Sequence, residues 1–245
     1  RRCQYCYAFD AVGIKFDTVG NQKRRIICYG LYCNYKTDEF FLMHGLYLIT
    51  NDDPIQLLLE KIQVALATGH IAILQYRRKK IAKADQPLEV EQIKILCEKY
   101  QVPFVINDDL SLAEQFGLGV HLGQSDGEII DAAACLPQGA IIGRTCLNSL
   151  ELAEKAIAEG ATYVAFGAVY ATSTKPEAGN VGVEVIQQAK QKFKVPICAI
   201  GGLTVENSQV VIEAGASLCA VISDILGRST AEIPARVNAW AKLFA

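Results

Sequence analysis

From Gly45 to the C-terminus, short unbroken apolar runs alternate eight times with amphipathic stretches. GLYLIT (45–50), IAILQY (71–76), PFVIND (103–108) and GVHLG (119–123) are the first four runs, and AIIG (140–143), TYVAFGAV (162–169), PICAIGG (196–202) and SLCAVIS (217–223) the rest. Between and after them lie helical patterns such as PIQLLLEKIQVALATG, with Pro54 in its first turn and Gly69 at its end, and LEVEQIKILCEKY (88–100). The runs are apolar throughout rather than alternating, as expected of strands covered on both faces in a parallel sheet. Doubly wound sheets seldom need eight uninterrupted strand–helix units, whereas a (β/α)8 barrel needs that number. The spacing therefore predicts an α/β protein, a (β/α)8 TIM barrel, formed as a single domain by residues 43–245.

Residues 1–42 do not share this rhythm. They hold four of the nine cysteines (Cys3, Cys6, Cys28, Cys33), nine of the twenty aromatic residues and a net charge of +3, against −5 for the remainder. Met43 is the single methionine, and residue 1 is Arg. C-x2-C at 3–6 and C-x4-C at 28–33 could form a small zinc knuckle, but the second spacing is loose and no His lies between the pairs. The expectation is an N-terminal extension, disordered or an upstream translated artefact, with the working protein starting at Met43.

A net charge of −2 and a pI near 6.0 speak against a nucleic-acid or membrane-surface protein. No apolar run reaches the roughly 18 residues of a membrane helix. Nine cysteines scattered over 245 residues do not make a disulfide scaffold. A reduced, cytoplasmic protein is expected, with self-association into a homo-oligomer left open.

In a TIM barrel the chemistry sits just beyond the strand ends, at the C-terminal face. The second run ends in Gln75-Tyr76-Arg77-Arg78-Lys79-Lys80, where alternation sends Gln75, Arg77 and Lys79 to one side. Such donors suit a polyanion: Arg by two-pronged contact, Lys as a point charge. The third run ends in Asn107-Asp108-Asp109, the fourth in His121-Leu122-Gly123-Gln124-Ser125-Asp126. Magnesium commonly binds one or two carboxylates together with substrate phosphate oxygens, so Asp108 and Asp126 are candidates to hold it. His121 reads as a packed or hydrogen-bonded histidine. Gly143-Arg144-Thr145 follows the fifth run, YATSTKPEAGNVG (170–182) the sixth, Gly201-Gly202 the seventh and Ile222-Ser223 the eighth. Loops after the last two strands often bind phosphate in such barrels. Two anions are expected: a diphosphate with metal near strands two to four, and a monophosphate near strands six to eight.

LYLIT, QYRRK, INDD…GVHLGQSD, IIGRT, AFGAVYATSTKP, AIGGL and AVIS, in this order and spacing, resemble the thiamine-phosphate synthase family over 45–245 and not over 1–42. The resemblance implies a transferase of alkyl or aryl groups in thiamine biosynthesis. It would condense 4-amino-2-methyl-5-hydroxymethylpyrimidine diphosphate with 4-methyl-5-(2-phosphoethyl)thiazole, giving thiamine phosphate and diphosphate. Two small phosphorylated substrates and Mg²⁺ are then the partners. It implies that Gln75, Tyr76, Arg77, Arg78, Lys79, Asn107, Thr145 and Lys175 meet the pyrimidine diphosphate, with Arg77, Lys79 and Lys175 catalytic. Asp108 and Asp126 would hold the metal. Thr172, Ser173, Thr174, Gly202, Ile222 and Ser223 would meet the thiazole phosphate. Thr145 stands where the family usually has serine, and Arg144 and Asp224 replace residues that are commonly smaller. Cys146 reads as small packing rather than a nucleophile. A thiazole tautomerase-like barrel, or a non-catalytic phosphate sensor, is the alternative. The first would be expected to lose the diphosphate and metal machinery, and the second has no partner module beyond the 42-residue tail.

Overall fold

The computed structural model describes residues 43–171 and 181–245. The expectations for the four N-terminal cysteines and for Thr172, Ser173, Thr174 and Lys175 lie outside the described residues. Eight strands close into a barrel in sequence order, each parallel to its neighbours. They are β1 (Gly45–Ile49), β2 (Ile71–Tyr76), β3 (Phe104–Asn107), β4 (Gly119–Leu122), β5 (Ile142–Thr145), β6 (Tyr163–Phe166), β7 (Ile197–Ile200) and β8 (Leu218–Val221). Closure is made by β1 beside β8, in the register Leu46 to Cys219 and Leu48 to Val221.

The helices alternate with them: α1 (Ile55–Leu66), α2 (Gln86–Tyr100), α3 (Leu110–Phe116), α4 (Ile129–Cys135), α5 (Leu150–Ala158), α6 (Glu184–Lys192) and α7 (Gln209–Glu213). Two follow β8, the short α8 (Ser223–Leu226) and the longer α9 (Ile233–Leu243). The sequence rhythm anticipates only the second. Local signals set several starts: the Asp109 carboxylate accepts from the Leu112 amide at 3.0 Å to open α3, and the Ser149 hydroxyl accepts from the Leu152 amide at 3.2 Å to open α5. The five cysteines of the described residues are free thiols. No helix among the described residues is long and apolar enough to cross a membrane.

Strand alternation sorts the side chains into two cores. One lies between sheet and helices, with Leu48, Leu74, Ile106, Leu122, Phe166 and Trp240 among its members. The other fills the barrel itself, built from Tyr47, Ile49, Ile73, Val105, Tyr163, Ala165, Cys198, Leu218 and Ala220. The two tyrosines are fully buried there and satisfy each other, hydroxyl to hydroxyl at 2.8 Å. Gly143 makes room for this: a Cβ at that position would fall onto the Tyr163 ring.

Beyond β8, α8 is pinned from two sides. Lys61 Nζ donates to the Leu226 carbonyl and to Asp53 Oδ2, both at 2.7 Å. The buried Asp224 carboxylate accepts from Arg236 and, at 2.7 Å, from Trp240 Nε1, both on α9. Asp224 is thus an anchor between the two helices, which explains why a larger acidic residue is accommodated at this place.

Candidate active site

The C-terminal mouth of the barrel opens into a cavity of about 790 Å³. Gln75 at the end of β2, and Arg77 and Lys79 just beyond it, all reach it, joined by Asn107, Asp108 and Asp126 from β3, its following residue and the β4–α4 loop. Thr145 lines it from β5, and Gly202, Ile222 and Ser223 line the opposite wall.

Two expected ligands lie elsewhere. The Tyr76 and Arg78 side chains turn outward, into the layer between sheet and helices. Tyr76 donates from its hydroxyl to Glu89 Oε2 at 2.7 Å. Arg78 pairs with both Glu89 oxygens, Nη2 to Oε1 at 2.8 Å and Nε to Oε2 at 3.1 Å, and donates to the Asn51 and Asp53 carbonyls. The arginine side chain is 2% exposed. The expectation of substrate contact is therefore corrected for these two side chains. Tyr76, on the outer face of β2, and Arg78, just beyond the strand, both meet a buried carboxylate on α2 that consumes their donors.

The acidic side of the mouth is compact. Asp108 Oδ1 accepts from the Gly123 amide at 3.1 Å, and Oδ2 accepts from Asn107 Nδ2 at 2.6 Å. Lys79 Nζ lies 3.2 Å from the same Oδ2. Burial by itself would raise the Asp108 carboxyl, but the Gly123 amide, the Lys79 ammonium and the Asn107 amide together hold it below its ordinary value. Its backbone sits in the left-handed region at φ 61°, a conformation that costs energy in a non-glycine residue and recurs at functional sites. The second carboxylate meets it across Gly123. A Cβ at that glycine would collide with Asp126 Oδ2 and stand 3.5 Å from Asp108 Oδ1. Both carboxylates therefore converge on space that only a glycine leaves open.

Arg144 acts behind this arrangement. Its side chain is buried outside the barrel, not in the cavity, and Nη1 donates to the Gly127 carbonyl at 2.6 Å, Nη2 to that of Gln124 at 3.4 Å. It fastens both ends of the turn that carries Asp126. Gln124 also donates back to the Thr145 carbonyl.

On the opposite wall, Gly201 and Gly202 take φ values of +105° and +63°, and a Cβ on Gly202 would lie 2.5 Å from the Ala171 carbonyl oxygen. Neither conformation nor space admits another residue, so the backbone stays bare toward the cavity. Arg228, which the sequence reading did not single out, lines this wall too and is held by its Nε to the Asp224 carbonyl at 2.8 Å. Its signal was its position one turn beyond Asp224, visible only once α8 is known to be helical.

Inside the mouth a chain of hydrogen bonds crosses the barrel. Gln75 Nε2 donates to the Tyr47 hydroxyl at 2.8 Å, and the Tyr47 and Tyr163 hydroxyls pair at 2.8 Å. His121 Nδ1 meets the Tyr163 hydroxyl at 2.7 Å, and His121 Nε2 meets Thr145 Oγ1 at 2.8 Å. Burial pushes both phenols well above their ordinary range, so they stay protonated. Among the described residues the two thiols nearest the mouth are poor nucleophiles: Cys146 is buried and pushed up to about 12 by burial, and the buried Cys198 is raised well above its ordinary value for the same reason.

Fold and mouth together define a TIM barrel with cations and paired carboxylates at one side of its mouth and bare glycine backbone at the other. Residues 46–225 match the family model described as thiamine monophosphate synthase, and the chain belongs to that family. Its place is therefore among the transferases of thiamine biosynthesis. Among solved structures it is similar to the thiamine phosphate pyrophosphorylase of Pyrococcus furiosus, with 28% identity and a TM-score of 0.73 over 82% of this chain and 96% of that one. The thiamine phosphate pyrophosphorylase of Bacteroides thetaiotaomicron shares 18% identity, TM-score 0.57, over 81% and 96% of the two chains. A third barrel, (S)-3-O-geranylgeranylglyceryl phosphate synthase from Thermoplasma acidophilum, shares 15% identity, TM-score 0.58, over 81% and 92%. At these last two identities the likeness concerns the fold.

Proposed function

We propose that this chain joins 4-amino-2-methyl-5-hydroxymethylpyrimidine diphosphate to 4-methyl-5-(2-phosphoethyl)thiazole in the cytoplasm, releasing thiamine phosphate and diphosphate. The observation that carries the reading is the convergence of Asp108, Asp126 and Lys79 around Gly123 at the mouth of the barrel.

Among the described residues no cluster of three or more His, Cys, Asp and Glu side chains could hold a metal ion. Two carboxylates do fit Mg²⁺, a hard cation that takes oxygen donors and is often completed by water and substrate phosphates. Asp108 and Asp126 would hold it. When bound, it would neutralise charge on the departing diphosphate.

The remaining work falls to the chain's own groups. Arg77 and Lys79 bind the diphosphate and stabilise the negative charge that grows on the leaving oxygen as the carbon–oxygen bond breaks. Gln75, Asn107 and Thr145 orient the pyrimidine so that its methylene carbon faces the second substrate. The thiazole nitrogen then forms the new carbon–nitrogen bond with its own electron pair. The pyrimidine amino group shares the positive charge on the carbon, so no protein nucleophile or strong base is required. Gly202, Ile222 and Ser223 receive the thiazole phosphate. Thr172, Ser173 and Thr174 address the same phosphate, and Lys175 the diphosphate.

The test is turnover of the full-length chain. Thiazole phosphate alone should remain unchanged, and both substrates with Mg²⁺ should give thiamine phosphate. Conversion of the thiazole phosphate alone would instead favour a tautomerase.

A further inference from the structure

The chain of hydrogen bonds from Gln75 to Thr145 links β2, β1, β6, β4 and β5 through the centre of the barrel. Nothing in the proposed reaction requires Tyr47 or Tyr163, yet each is fully buried with its hydroxyl placed between two polar partners. A chain of this kind has a direction. An amide nitrogen only donates, so the Tyr47 oxygen accepts from Gln75 Nε2. A phenol carries one hydrogen. That of Tyr47 goes to the Tyr163 oxygen, because any other course would leave a buried donor unpaired. The Tyr163 hydrogen then goes to His121 Nδ1. An imidazole whose Nδ1 accepts carries its hydrogen on Nε2 and donates it to Thr145 Oγ1.

We infer that Tyr47 and Tyr163 are positioning residues: they transmit the amide orientation of Gln75 across the barrel, fix His121 as the neutral Nε2–H tautomer and turn the Thr145 hydroxyl hydrogen toward the cavity. The cavity is thereby offered a hydrogen-bond acceptor at Gln75 Oε1 and a donor at Thr145. A threonine serves at position 145 as well as a serine would, since the relay needs only one hydroxyl there. Gly143 belongs to the device, because it gives the Tyr163 ring its place.

The polarity can be read without any turnover. The chain contains three histidines, His44, His70 and His121, so the His121 ring signals can be assigned in the full-length protein with the His44→Gln and His70→Gln variants. A two-bond ¹H–¹⁵N spectrum without substrate should show His121 with a protonated Nε2 and an unprotonated Nδ1. A protonated Nδ1 would mean that the chain runs the other way and would overturn the inference. Tyr47→Phe, remote from His121, removes the donor that directs Tyr163, and His121 should then become a mixture of the two tautomers. A folded Tyr47→Phe protein that keeps the pure Nε2–H pattern would show that the direction is set elsewhere, and would equally overturn it. Should that variant fail to fold, the wild-type spectrum alone decides. An Nε2–H His121 in a protein that forms no thiamine phosphate would sink the proposed reaction and leave the relay standing.

Discussion

Lys79 Nζ, carried beyond the end of β2, lies 3.2 Å from Asp108 Oδ2 at the end of β3. The cation expected to serve the diphosphate thus rests against a carboxylate expected to serve the metal, on a lysine side chain 54% exposed. Binding of a metal–diphosphate pair would replace this contact by two new ones. Asp108→Ala should therefore lower turnover by about 10²–10³-fold, the usual scale for losing one stabiliser of developing charge, and should blunt the response to Mg²⁺. Rates measured across a Mg²⁺ titration check this; near-normal activity would remove the metal assignment.

Gly123→Ala probes the same site without removing a charged group. The new methyl would fill the space shared by the Asp126 and Asp108 carboxylates. The Mg²⁺ concentration for half-maximal rate should rise by about tenfold, a cost of about 1.4 kcal/mol in metal binding. An unchanged requirement would place the metal elsewhere.

Arg77 and Arg78 are neighbours in sequence with opposite duties. Arg77→Ala should leave thermal stability nearly unchanged while lowering kcat/KM. Arg78→Ala strands the buried Glu89 carboxylate and should cost about 3–5 kcal/mol of folding stability, the usual penalty for removing one partner of a buried pair. Denaturant unfolding of the two variants beside steady-state kinetics separates the roles. The reverse assignment would contradict the side-chain placement.

Asp53 gives a pH signature away from the chemistry. Burial would raise its carboxyl, but the Lys61 ammonium and the Asn51 contact hold it below its ordinary value. A depressed folded value means that the stabilisation is present above the unfolded value, about 3.9, and disappears as pH falls through the folded one. The melting temperature of the wild type should exceed that of Asp53→Asn near neutrality, and the gap should close below about pH 4. A gap independent of pH would exclude the ionised pair as its source.

Arg236→Ala should loosen α8 by removing one of the two α9 partners of Asp224, leaving Trp240. The KM for the thiazole phosphate should rise more than that for the pyrimidine diphosphate, since Ile222 and Ser223 lie at the start of that helix. Equal changes in both would argue against α8 as the monophosphate wall.

Much of this architecture was legible in the chain itself. The continuous apolar runs mark all eight strands because both faces of each are covered, and Gln75, Arg77 and Lys79 reach one cavity as their i, i+2 spacing suggests, although β2 itself ends at Tyr76. Tyr76 and Arg78 turn outward, but their partner Glu89 lies a helix away, and its burial is a tertiary fact. The fifth strand begins two residues later than its apolar run, at Ile142, and includes Arg144 and Thr145. A buried arginine is acceptable there because two loop carbonyls receive its donors. The four residues of α8 are too few for periodicity to announce. The polar chain through Tyr47 and Tyr163 was hidden inside apolar runs, where a tyrosine reads as packing until its hydroxyl finds a partner.

The most direct measurement is the product balance of the full-length chain supplied with both substrates and Mg²⁺. Thiamine phosphate and diphosphate should appear in equal amounts, and neither should form when one substrate is withheld or the metal is chelated. Diphosphate release without thiamine phosphate, or no reaction with both substrates bound, would contradict the assignment of this barrel as the catalyst that joins them.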